Sequence, residues 1–272
     1  MTNVCVNLES HYHESANVLV KFSTSKNLKT FIMGKHFFVL VFIAGLFSFN
    51  KYAVKTKGIL VFSKTEKFRH QSIEAGKQMF LYLGKKHHII VDTTEDAASF
   101  NPEQLKKYSV VVFLNTTGTV FNDNQKDAFR QFIENGGGFV GIHAATDTEY
   151  DWPWYNQLSG AYFDNHPKPQ QVTYHIIDKN FPATKDLPDS LSRLEEIYNF
   201  KSLQKDALHF LITADEDTYS GGTMGNFHPA AWYHDFDGGR AFYIAWGHFP
   251  ETYSEPMFQN IIWQGVEWAM RK

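Results

Sequence analysis

From residue 57 onward, apolar and polar positions alternate between two kinds of segment. Short runs of consecutive β-forming residues stand at 57–64, 88–94, 109–115 and 139–143. Between them lie longer stretches in which apolar residues recur every three or four positions. Ile73, Ala75, Met79, Phe80 and Leu83 mark the first of these, which predicts an amphipathic helix over 70–83. Asn101-Pro102 opens a second, short helix to 108, and 123–135 forms a third, closed by Gly136-Gly137-Gly138. Strands that alternate with helices at this spacing predict a parallel sheet, because parallel strands need crossovers and continuously apolar strands need helices on both faces. From about residue 160 the pattern turns β-rich, with segments at 171–178, 193–200, 208–214, 230–233 and 241–246 before a final helix over 254–270. No repeat, low-complexity tract or linker divides 57–272, which reads as one domain.

The N-terminal 50 residues differ. Residues 37–49 form an apolar run of 13 residues preceded by Lys35 and Met33. That is shorter than the roughly 20 residues of a membrane-spanning helix and suits the apolar core of a secretion signal. The reading is an N-terminal extension over 1–50 with an export signal at 33–50, so that 1–32 precede the true start and the mature chain works in the periplasm. The cleavage site is poor, with only Ser48 and Ala53 nearby, so an uncleaved membrane anchor stays open, as does a buried N-terminal element.

Composition narrows the chemistry. Net charge is −3 over 272 residues and no Lys/Arg cluster is present, which removes the electrostatic footprint of nucleic-acid binding. The single cysteine, Cys5, lies in the extension, so no disulfide framework, thiol nucleophile or cysteine metal cage is available after it. Ten of the 13 histidines and all six tryptophans fall after residue 50.

Ligands in open parallel sheets bind at the carboxyl ends of the strands, here 63–70, 115–119 and 143–147. His143 ends a strand among small residues, Gly136 to Ala145, in the manner of a nucleophile elbow; a histidine there suits a general base, a proton shuttle or a metal ligand. His248 follows the run Gly239 to Gly247, and Glu251 comes three residues later, where a carboxylate could orient it. Arg69 and His70 sit just past the first strand. Glu195 and Glu196, with Tyr198 beyond them, lie on a predicted strand, so one of the two carboxylates points inward. Trp154, the neighbouring aromatics and His166 suit a sugar ring, whose C–H faces stack and whose hydroxyls need directed hydrogen bonds. Each of these readings competes with a plain structural role. No HExxH or other close ligand pair is present, so a metal would need donors from distant segments. His87, His88, His175, His209 and His234 read as structural or solvent-facing.

Taken together, Phe68-Arg69-His70, GGGFVGIHAA at 136–145, YNQLSGAYFDNHP at 155–167, EEIYNF at 195–200, HPAAW at 228–232 and GRAFYIAWGH at 239–248 resemble the ThuA-like, trehalose-utilisation family over about 57–272. The resemblance implies an α/β, flavodoxin-like sandwich of the class I glutamine amidotransferase-like type, here with added β segments in the C-terminal half, and a role in carbohydrate metabolism. In true amidotransferases the elbow carries a cysteine, with a histidine and a glutamate arriving late in the chain. His143 stands at that elbow and His248 and Glu251 resemble the late pair, so glutamine hydrolysis is not expected.

The expected function is acid–base processing of a disaccharide or glycoside, a 3-keto form included, as an isomerase, lyase or hydrolase. His143 and His248 act as acid and base with Glu251 as orienter. Arg69, His70, Trp154, His166, Glu196, Tyr198, Trp232 and Arg240 line the substrate. A non-catalytic carbohydrate sensor and a metal-dependent hydrolase are the alternatives. A small-molecule carbohydrate is the expected partner, with a homo-oligomer left open. No cofactor is fixed by the sequence; a divalent metal on His70, His143, Glu196 and His248 stays open.

Overall fold

A computed structural model describes residues 19–22, 29–32 and 58–271. Strands β1 (Leu19–Phe22) and β2 (Lys29–Ile32) form an antiparallel pair in a unit separate from 56–272. The export signal assigned to 33–50 lies outside the described residues. Among the described residues no helix is long and apolar enough to cross a membrane.

The domain is built on nine strands. They are β3 (Gly58–Phe62), β4 (Val91–Thr94), β5 (Tyr108–Leu114), β6 (Gly138–Ile142), β8 (Gln170–Ile176), β9 (Ser190–Glu195), β11 (His209–Ala214), β12 (His228–Phe236) and β13 (Gly239–Ile244), in the order β4-β3-β5-β6-β13-β12-β11-β8-β9. The first five in that order are parallel and the remaining pairings antiparallel. Burial explains the division. Every residue of β3 and β6 is buried, so both faces are covered at the centre of the parallel half, whereas its edge strand β4 has no buried residue and β8 and β9 alternate buried with exposed. Five helices complete the fold: α1 (Ile73–His87), α2 (Pro102–Leu105), α3 (Asp123–Glu134), α4 (Pro153–Ser159) and α5 (Pro256–Ala269). Helix α3 opens on a capping box between Asn122 and Gln125. Phe62, Phe100, Phe113, Phe121 and Phe129 fill the core beneath the parallel strands, with ring centroids between 4.4 and 6.1 Å apart.

The parallel-sheet sandwich with an added antiparallel half is therefore the observed architecture. Three details differ from the sequence pattern. The segment 153–159, read for its aromatics, is helix α4, which starts at a proline in its first turn. Strand β12 runs nine residues and turns into β13 through Asp237-Gly238, both at positive φ (48° and 89°), the geometry of a tight hairpin turn. Residues 162–165 form a strand, β7, paired with β10 (Asn199–Lys201) in a small separate sheet.

Candidate active site

Parallel strands deliver three histidines to one end of the sheet. His70 follows β3, His143 follows β6 and His248 follows β13. His143 follows its strand directly, and His70 and His248 stand in the loops beyond theirs, at the carboxyl end where the chain leaves the sheet and side chains can converge. Glu196 arrives from the opposite half, one residue beyond β9. Its Oε2 is 3.0 Å from His248 Nδ1, 3.3 Å from His143 Nε2 and 3.9 Å from His70 Nε2. His166, after β7, places Nδ1 3.2 Å from Glu196 Oε1. One donor atom each from His70, His143, Glu196 and His248 fits within 4.8 Å of all the others.

The backbone holds these residues in set positions. His143 has φ 48°, left-handed and unusual for a residue with a Cβ, so the elbow expected there is present. Its carbonyl accepts from Tyr243 Oη at 2.7 Å, and its Nδ1–H donates to the Ala245 carbonyl at 2.7 Å. That second bond fixes the tautomer, because a carbonyl can only accept, and leaves Nε2 with its lone pair toward Glu196. His248 is steered by Gly247, whose φ of 124° disfavours any side chain and whose added Cβ would lie 2.7 Å from Tyr253 Oη. The Gly247 carbonyl accepts from Ser72 Oγ (2.9 Å) and Tyr253 Oη (3.0 Å), while its N–H donates to Glu195 Oε1 at 3.3 Å. Tyr198 lies against the His143 ring, centroids 4.2 Å apart, and its carbonyl accepts from His228 Nε2–H at 2.8 Å.

The electrostatics are those of a cation site. Burial pushes the His143 pKa down to about 4, so the ring is neutral at physiological pH. Burial also acts to raise Glu196, but the facing His143, His248 and His70 rings outweigh it and hold the carboxyl well below its usual range. An ionised carboxylate thus faces the lone pair of a neutral imidazole. Only a shared cation, proton or metal, relieves that contact. In agreement, His143 Nε2 and His248 Nδ1, the two ring nitrogens nearest Glu196 Oε2, are buried and make no hydrogen bond. Three imidazoles and one carboxylate are a donor set for zinc or a similar divalent ion. The 3.0–3.9 Å spacings bracket the edge of about 3.4 Å that a tetrahedral site with bonds near 2.1 Å requires.

The other residues singled out in the sequence separate clearly. Glu251 is exposed on the turn Pro250–Ser254, and the carboxylate that faces His248 is that of Glu196, so the orienter role does not belong to Glu251. Arg69 is exposed and forks onto Glu95 and Glu74 at 2.8–2.9 Å. Trp154 donates from Nε1 to Asp237 in the β12–β13 turn, and Arg240 lies at the start of β13 over Trp268. Both are at the end of the sheet opposite the histidines. Trp232 is fully buried, stacked on Tyr243 and bonded to the Ser159 carbonyl, which makes it a core residue that backs the site. His166, Glu196 and Tyr198 do join the cluster. Glu195 is buried too but on another side, against Arg193 at 3.0 Å; burial raises its carboxyl to about 7 although Arg193 opposes the shift. Tyr243 in β13, Ser72 just before α1 and Tyr253 in the turn Pro250–Ser254 carried no sequence signal of their own.

The family model for ThuA, trehalose utilisation, matches residues 58–269. The chain belongs to the ThuA family. Two solved ThuA-like proteins share the fold. One from Bacteroides uniformis ATCC 8492 is 24% identical with a TM-score of 0.67, covering 80% of this chain and 93% of its own. One from Parabacteroides merdae ATCC 43184 is 21% identical with a TM-score of 0.66, covering 79% and 90%. No curated protein matches the sequence. Membership ties this ThuA domain to a trehalose-utilisation type of role.

Proposed function

We propose that this ThuA-family protein is a divalent-metal-dependent enzyme that acts on a disaccharide of the trehalose type, in its 3-keto form. The observation that carries the reading is the convergence of His70, His143, His248 and Glu196, with buried ring nitrogens that no protein group satisfies. His143 and His248 then serve as ligands rather than as acid and base. A bound divalent ion would supply charge stabilisation to a keto oxygen, which acidifies the neighbouring C–H.

His166 is the proton-transfer group. It is 40% exposed, and Nδ1 lies near Glu196 Oε1 and the Pro167 carbonyl (2.9 Å), which leaves Nε2 available to the substrate. Taking the proton next to the ketone lets the glycosidic C–O bond break, with the proton returned to the departing oxygen. The export-signal pattern at 33–50 supports a site of action outside the cytoplasm.

Incubation of the full chain with trehalose and 3-keto-trehalose, followed by mass spectrometry with and without chelator, tests the reading. Conversion of the keto sugar alone, abolished by chelation and restored by zinc or manganese, is expected. Conversion indifferent to chelation overturns the metal. Binding without conversion overturns the enzyme and leaves a sugar sensor.

A further inference from the structure

Phe68 is 65% exposed, the most exposed large apolar side chain among the described residues. A single surface apolar residue needs no explanation by itself. This one stands edge-on to the ring of His70, with centroids 4.8 Å apart, while His70 itself is buried in the cluster. None of the other exposed large apolar residues, Leu81, Tyr82, Ile90, Ile177 and Leu194, makes a ring contact with the cluster.

The backbone around Phe68 is pinned on both sides. Glu66 N–H donates to the Thr117 carbonyl at 2.8 Å, Lys67 N–H to Thr117 Oγ1 at 3.3 Å, and Thr117 Oγ1–H to the Phe68 carbonyl at 3.0 Å. Arg69 is forked onto Glu95 and Glu74. An aromatic ring held in water by a clamped loop beside a buried polar centre is preorganised for a flat apolar surface. Phe249, half-buried and edge-on to His248 at 4.7 Å, gives a second aromatic wall.

We infer that Phe68 is the stacking platform for the sugar ring of the substrate that does not undergo reaction, with its C–H face on the phenyl ring while the reacting ring reaches the histidines. The inference rests on the carbohydrate reading above. It assigns Phe68 to affinity and orientation rather than to proton transfer.

The test uses the full-length protein with trehalose and 3-keto-trehalose as probes, read by saturation-transfer NMR and titration. Metal content and melting temperature are measured in parallel. Phe68→Ala is expected to weaken binding of both sugars roughly tenfold, in line with loss of one aromatic face. Metal uptake and melting should stay as in wild type. Phe68→Trp should restore the affinity, and Tyr82→Ala, on the outer face of α1, should leave it untouched. Unchanged sugar affinity in Phe68→Ala overturns the platform and leaves the carbohydrate reading standing. A wild-type protein that takes up metal but binds neither sugar overturns the carbohydrate reading and the platform with it. Sugar binding that depends on Phe68 in a protein without metal affinity supports the platform and removes the metal.

Discussion

Glu196→Gln isolates the charge at the centre of the cluster, because the amide keeps the shape of the side chain and removes only its ionisation. In the metal-bound protein the change takes one anionic ligand from a buried set whose other three donors are neutral. Removing one partner of a buried charged set costs about 3–5 kcal/mol. That is roughly a hundred- to a few-thousand-fold in metal affinity. With zinc at about 100 times its Kd, the wild type gains about 2.7 kcal/mol of stability. For a domain of this size the gain raises Tm by about 5–10 °C. At the same zinc concentration the variant gains about 0.3 kcal/mol or less, and its Tm hardly moves. The metal-free proteins should behave differently. His143 Nε2 carries a lone pair 3.3 Å from the carboxylate, and the amide N–H of a glutamine can donate to it, so the metal-free variant melts no lower than the metal-free wild type. Thermal melts with and without zinc, checked by metal analysis of the purified proteins, measure both effects. Equal zinc affinity and an equal Tm shift in wild type and Glu196→Gln would refute the assignment of Glu196 as a ligand.

Two further outcomes separate the scaffold from the site. Trp232→Phe leaves the buried Ser159 carbonyl without its donor and should lower stability by about 1–3 kcal/mol in denaturant unfolding, with metal uptake unchanged. Burial lowers His234 from 6.5 to about 4, so the folded state resists a proton that the unfolded chain accepts. Its contribution is whole above pH 6.5 and is lost as pH falls toward 4. Relative to His234→Gln, the wild type should lose on the order of 3 kcal/mol of unfolding free energy across that window. Parallel unfolding curves for the two proteins between those pH values would show that another group drives the acid loss.

The parallel half was legible in the sequence because its central strands β3, β5 and β6 are buried on both faces, and a run such as 109–115 needs no periodicity to be read. The antiparallel half was harder. Strand β12 carries His228, Pro229, His234 and Asp235 among its apolar residues, which masked its length, although Asp237-Gly238 is a hairpin signal that could have fixed its end. The three histidines at the site were legible for one reason: each follows a readable strand, and strand ends converge. Trp154 and Arg240 failed the same test, since both lie at the other end of the sheet. Composition alone could not tell an aromatic near the site from one in the core, as Trp232 shows.

Glu196 is the instructive case. Period-two alternation on a strand sends Glu195 and Glu196 to opposite faces, so only one of them should point inward. Yet β9 stops at Glu195, and the chain beyond it leaves the sheet, so that both carboxylates are buried with different partners. Glu195 meets Arg193 and the Gly247 N–H, and thereby holds the loop that aims His248. Glu196 meets the histidines. The neighbouring pair thus divides into one carboxylate that positions the site and one that completes it, an assignment that depends on where a strand ends. His143 makes the matching point on the other side. The left-handed elbow suited to a reactive side chain is retained, but the residue on it uses Nδ1 to fix itself and offers only Nε2. A nucleophile must be free to attack, whereas a ligand must be held still, and the bond to Ala245 serves the second need.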